Sequence, residues 1–217
     1  MFAAMRRAVA VIGVVVALGT AGCSGSSHPR AVAPSTTAAP ARAIAFTVAG
    51  TDVIWTTKAA DFTPAAKAGV VGILDKWLAG AVVLPLRSGA AGDIAALFTS
   101  DVAPRLTGPD RVALVDEGLP RATALTPTVE NVKLTALFDG DGAVALVTAA
   151  LNVQLIVTAP DGPYTVGHTG ELVLQQDFGV WRITGYDIRS THQDITGTTT
   201  TTTAKVAPAP RPTKAAG

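Results

Sequence analysis

The hydrophobic period of this chain changes once, from helical to alternating, and the change divides its folded part in two. Between residues 63 and 88, Val70, Ile73, Leu74, Trp77, Leu78, Ala81 and Val82 recur at helical spacing, while Lys67, Asp75 and Lys76 can stay in water. Thr63-Pro64 offers a hydroxyl cap with proline in the first turn, and Pro85 with Ser88-Gly89 marks the end. Asp93 then caps a shorter predicted helix carrying Ile94, Leu97 and Phe98. Gly108-Pro109 starts a third, which holds Val112, Leu114 and Val115 and stops at Gly118.

From Val129 onward the period is two. Val132, Leu134, Ala136 and Phe138 share one strand face, with Asn131, Lys133 and Thr135 on the other. Asp139-Gly140-Asp141-Gly142 turns the chain into a long strand over residues 143–158. Asp161-Gly162-Pro163 turns it into a third over 164–176, and Asp177-Phe178-Gly179 into a fourth over 180–189. Ahead of the helices, Ile44, Phe46 and Val48 alternate and Gly50-Thr51-Asp52 can turn, so a short hairpin is predicted over residues 44–57. The expected class is α+β: three short helices packed on a curved antiparallel sheet of about four to six strands.

The flanks read differently. Residues 23–43 mix Ser, Gly, Pro, Ala and Thr without periodicity, which predicts a disordered tether. Residues 191–217 hold the run Thr198 to Thr203 and then Pro208, Pro210 and Pro212, which predicts a disordered tail too poor in apolar surface to fold. The domain is thus placed at residues 44–190.

Charge narrows the functions. The chain has 17 basic and 16 acidic side chains. Residues 1–22 hold Arg6, Arg7 and no acid, so 15 basic side chains face 16 acidic ones beyond them. The charges are scattered singly, with no basic stripe for nucleic acid. The Ala, Gly, Thr and Pro bias suggests a high-GC actinobacterial source.

Residues 1–22 read as a secretory signal: Arg6 and Arg7, an apolar stretch over residues 8–18, then small residues. They run into Cys23, the one cysteine of the chain. Thr20-Ala21-Gly22-Cys23 resembles the lipobox of bacterial lipoproteins, with Thr20 where that family most often has Leu. The resemblance implies cleavage before Cys23, palmitate-class acyl chains on its sulfur, and a domain held at the outer face of the cell membrane. Two such chains suffice for stable anchoring. No disulfide can form within a chain holding a single cysteine.

The helices-then-strands order and the closing strand Val180-Trp181-Arg182-Ile183-Thr184-Gly185-Tyr186-Asp187 resemble the NTF2-like cone fold, over residues 60–190. That family includes isomerases and cyclases beside scaffolds and partner-binding domains, so the fold alone does not give the function. An enzyme of this kind would hold polar groups inside the cone. Strand parity puts His168, Tyr164 and Asp187 there, with Trp181 and Trp77 beside them as pocket walls. His168 could serve as a general base, with Asp187 fixing its tautomer. The plainer expectation is a partly exposed histidine at the sheet rim beside Gly167 and Gly170. Asp116 and Glu117 are expected to be solvated at the end of the third helix, and His28 and His192 in or beside the flexible ends. That leaves too few ligands for a metal site, and no cofactor motif is present. The expected function is a non-catalytic binding or accessory module of the cell envelope with a possible envelope protein partner. The alternative is apolar ligand binding or isomerase-like catalysis in the cone, which requires an open pocket of roughly 300 Å³. A third use, as a wall spacer, rests on the Thr/Pro tail.

Overall fold

The structure is a computed structural model describing residues 43–208 other than 56, 58 and 195. The signal peptide, Cys23, all but the last residue of the expected tether, and the last nine residues of the chain lie outside the described residues.

One six-stranded sheet carries the domain, in the order β1 (Thr47–Ile54), β2 (Ala124–Phe138), β3 (Val144–Ala159), β4 (Gly162–Asp177), β5 (Val180–Gln193) and β6 (Thr199–Val206). β1 is parallel to β2 and every other pair is antiparallel. The fold is α+β with an open, mostly antiparallel sheet. The predicted alternation holds: Val132, Leu134, Ala136 and Phe138 of β2 and Val147, Ala149, Leu151, Val153 and Leu155 of β3 are all buried. The helical elements cover this face.

The segment before the helices is one strand and not a hairpin. Gly50 sits where the register with β2 shifts between Val48 and Gly50, so the predicted turn is a bulge that lets β1 run on beside β2. Asp52 and Lys133 then pair across the two strands at 2.7 Å.

The first helix starts as predicted. In α1 (Pro64–Trp77) the Thr63 hydroxyl accepts the Ala66 N–H at 3.2 Å. Val70, Leu74 and Trp77 face the sheet, and Asp75 accepts the Phe46 N–H at 2.9 Å, tying the start of the domain to the helix. Pro85 does not stop it. Helix continues through a π-helical segment (Leu78–Val83) into α2 (Leu84–Ser88), and Gly89 ends it at φ 84. The helix is 25 residues long and apolar enough to cross a membrane, but half of its apolar stretch is buried against its own domain, as a core helix requires.

The second predicted helix is reduced to a single 3₁₀ turn, Ala95–Leu97. Phe98 leaves it in extended conformation and bridges Ile183 of β5, where the Thr99 N–H donates to the Ile183 carbonyl at 3.0 Å. A second 3₁₀ turn, Ala103–Arg105, precedes α3 (Gly108–Leu114), which lies on β5 and β6.

The largest departure is the tail. Residues 199–206 form β6, pairing with β5 from Tyr186↔Val206 to Gln193↔Thr199, with Ala204 and Val206 buried. Threonine is polar by composition, yet its branched Cβ favours a pleated, half-buried strand. The neighbouring edge of β5 supplied the hydrogen-bond partners that the tail alone lacked.

Two glycines of α1 test the packing. A Cβ on Gly69 would lie 2.6 Å from Cδ1 of Trp181, whereas one on Gly72 meets nothing within 4 Å. Both replacements gain helix propensity, up to about 1 kcal/mol. Urea unfolding should show Gly72→Ala stabilising the domain and Gly69→Ala destabilising it by about 1–3 kcal/mol. Equal effects would mean that α1 does not seat on Trp181. Deleting residues 199–217 should cost about 3 kcal/mol from the lost burial of Val206 and Ala204. An unchanged urea midpoint would show that β6 contributes nothing.

Candidate functional site

Among the described residues, a polar cluster in the interior is centred on Asp116. Its position follows from the helix irregularity. In the π-helical segment the Leu84 N–H bonds back to the Ala79 carbonyl, five residues earlier, which frees the carbonyl of Gly80. Pro85 has no N–H to give to the carbonyl of Ala81, which is therefore also free. Both find donors outside the helix at 2.9 Å: the Gly92 N–H reaches Gly80 and the Asp116 N–H reaches Ala81. The loop after α3 is thereby pinned to the helix, with the Asp116 side chain directed at the sheet.

Two histidines meet it there. Nε2 of His168 on β4 lies 2.8 Å from Oδ2 of Asp116, and Nε2 of His192 on β5 lies 3.0 Å from Oδ1. His168 and Asp116 are both fully buried at the side chain, and His192 is 20% exposed. Trp77 stands edge-on to the His168 ring, 5.7 Å between centroids. Burial by itself pushes the Asp116 carboxyl up. The charge and N–H of His168, then the N–H and charge of His192, outweigh it and hold the group below the ordinary carboxylate range.

This arrangement overturns two expectations. His168 is not at the rim; it sits on the buried face between Val166 and Leu172. Asp187 does not join it. A register shift in the β4–β5 pair sets Leu174 opposite Ile183 but Val173 opposite Gly185, so Thr184 is an extra residue. Before the bulge Trp181 and Ile183 point inward; after it Tyr186, Ile188 and Ser190 do. The flip sends Asp187 to the outer face, where Lys205 of β6 donates to it at 2.5 Å. Tyr164 keeps its expected face, but its hydroxyl donates to the Pro120 carbonyl at 2.5 Å. Burial, with the nearby Asp116 charge, pushes that phenol up to about 12, so it stays protonated. Trp77 and Trp181 are buried in the core with Phe98 and Phe138.

Asp116 and His192 were missed for identifiable reasons. Asp116 follows a helix of only seven residues, so a solvated last turn was the natural reading. His192 lies past the expected end of the domain. The signal for it exists: once the bulge is placed, Tyr186, Ile188, Ser190 and His192 continue a single alternation.

The cluster holds three residues of hydrolase type without their arrangement. Ser190 Oγ lies 3.4 Å from Nε2 of His192, the same nitrogen that meets Asp116. A relay needs the carboxylate on one ring nitrogen and the nucleophile on the other. Ser190 is also buried. For a metal, both Nε2 atoms already point at the carboxylate oxygens.

The opposite face of the sheet is open and polar. Thr128, Gln154, Thr165, Thr169, Thr191 and Gln193 line a cleft of about 350 Å³, and a second of about 270 Å³ adjoins it through Thr169. Gly167 makes the hollow: a Cβ there would lie 2.7 Å from Oγ1 of Thr191.

Among known proteins, no family model, no curated sequence and no solved structure matches this chain.

A carboxyl held below its unfolded value stabilises the fold above that value and loses the contribution as pH falls through it. The Asp116 contribution should be complete above about pH 5 and fade at about pH 4 and below. Asp116→Asn should cost about 3–5 kcal/mol at pH 7 as the loss of one partner of a buried pair. It should also flatten the acid limb of stability, read from urea midpoints between pH 7 and 3.5. A variant as stable as the parent at pH 7 would remove the cluster from the account of the fold.

Proposed function

We propose that this chain is a cell-envelope lipoprotein, anchored at the outer face of the membrane through acylated Cys23, whose domain is an NTF2-like cone working as a non-catalytic binding or accessory module. The observation that carries the reading is the division between the two faces of the sheet. On the helix side Trp77, Phe98, Phe138 and Trp181 fill the core, and both oxygens of Asp116 are engaged by His168 and His192, although Nδ1 of His168 is buried without a partner. On the other side hydroxyls and amides surround an open hollow.

Thr128, Gln154, Thr165, Thr169, Thr191 and Gln193 offer donors and acceptors without charge. Such a surface suits a hydrogen-bonding partner, a peptide backbone or a glycan of the envelope, with Glu171, Asp187 and Arg189 lining the adjoining cleft. The catalytic alternative needs His168 and Asp187 to converge on an apolar cavity, and they lie on opposite faces. The anchor is supported by the Thr20-Ala21-Gly22-Cys23 pattern alone.

Mild crosslinking of the membrane-bound protein, with partners identified by mass, tests the module. A discrete envelope partner is expected, and substituting Thr169 and Thr191 with Lys should abolish its capture while leaving the stability from urea unfolding within about 0.5 kcal/mol. Recovery of the protein alone, with lipid bound inside the domain, would overturn the reading. For the anchor, Cys23→Ala should release the protein to the medium or leave it unprocessed. A membrane-bound variant of normal mature mass would sink the lipoprotein assignment.

A further inference from the structure

Phe178 is placed against the interests of the fold. It is the sole non-glycine with positive φ among the described residues, at 48°, and it is fully exposed, at 102%. Phe178 and Gly179, at φ 81°, form the two-residue loop between β4 and β5, with Asp177 paired to Val180. Positive φ at both loop positions defines a type I′ turn, which favours Asn-Gly. Phenylalanine gains nothing there: the left-handed backbone is unfavourable for it, and its ring packs against no core.

The ring has apolar company at the same end of the sheet. β1 ends at Ile54 beside Leu137, the β2–β3 turn follows Phe138, and the Thr57 hydroxyl reaches the Gly140 carbonyl in that turn at 3.1 Å. Ile54, Trp55 and Val180 are 52%, 51% and 52% exposed. β1 and β5 stand four strand spacings apart, about 19 Å. Apolar residues borne on separate tips suit a fluid surface better than a rigid partner. Trp55 is of the type enriched at bilayer interfaces, and Phe178 is among the apolar residues that interfacial segments bury.

We propose that this end of the sheet, with Phe178 and Trp55 as its two points, is a second contact with the lipid surface, reversible and separate from the acyl anchor. The proposal rests on the lipoprotein reading for its cellular setting. Residues 24–43 number 20 and span at most about 70 Å, whereas a 16-residue strand is about 53 Å long. The chain enters β1 at Thr47, opposite Asn131 and midway along β2, so this reach lets the tips touch the membrane that holds Cys23. Tethering also supplies a high local concentration of lipid surface, so a weak contact suffices. Asp139, Asp141 and Asp177 stand around the tips, with Arg182 3.6 Å from Asp177. The surface contacted is therefore a zwitterionic or weakly charged one.

The test uses the Cys23→Ala chain without residues 1–22, so that neither an acyl group nor the apolar signal segment contributes and the outcome is independent of the anchor. It is sedimented with phosphatidylcholine vesicles. Binding is expected, weakening as phosphatidylglycerol is added. Phe178→Asn should lower the partition coefficient about tenfold while raising the melting temperature, because it removes the apolar ring and gives the turn its preferred residue. Trp55→Ser should weaken binding independently. The proposal is overturned if the Cys23→Ala chain does not bind vesicles, if Phe178→Asn binds as well as its parent, or if binding rises with phosphatidylglycerol.

Discussion

The Asp116 carboxylate is where the two layers of this domain are joined by something more specific than apolar contact. Its backbone is held by a helix carbonyl, and its two oxygens are held by imidazoles from adjacent strands. Each partner depends on the others. Without Pro85 and the π-helical segment, Ala81 would have no carbonyl to offer; without the β5 bulge, His192 would face away. A buried charge of this kind costs several kcal/mol to desolvate and is tolerated only with its partners in place. It therefore penalises any packing of helix on sheet that fails to bring all three together. Apolar layers can slide with little loss, whereas this cluster admits one registration.

The same dependence shows why the sequence reading went as far as it did. Period and turn chemistry are local, and they identified β2 to β5, the faces of β2, β3 and β4, and the Thr63 cap. The misses were all contextual. Pro85 breaks an isolated helix, but here its missing N–H leaves a carbonyl that the rest of the fold uses. Phe98 was assigned to a helix because apolar spacing cannot register the bridge to Ile183. The threonine run was read as disordered because it lacks apolar surface of its own, and β5 provides the edge it needs. The candidate site failed at one point, Thr184. A single extra residue reverses every side chain after it, so Asp187 and His192 exchanged faces together.

Seen this way, the two sheet faces have opposite chemistry for one reason. The helix-side face must exclude water, so the Asp116 carboxylate is tolerated there only with a partner on each oxygen. Among the described residues no element covers the outer face, so its side chains meet water, even where the Thr128 and Thr191 hydroxyls also donate to strand carbonyls. Gly167 deepens that face without weakening the other, because the strand hydrogen bonds pass through the backbone and not through the absent side chain. A binding surface can change there residue by residue while the core is left alone.

Phe178 shows the converse limit, a residue that local rules alone would replace. A left-handed phenylalanine costs about 1–2 kcal/mol over a favoured conformation, and such strain persists only where its surroundings over-determine it. The β4–β5 pair does so. Its ladder is paired from Thr165↔Gln193 to Asp177↔Val180, so the two-residue loop has no freedom to relax without breaking register. A shorter hairpin would slip or open to relieve the ring; this one holds it out in water. Rigidity gained from long-range pairing is thus what permits a strained, apolar residue to be displayed at a tip, and the cost is met by the same strands that enclose His168.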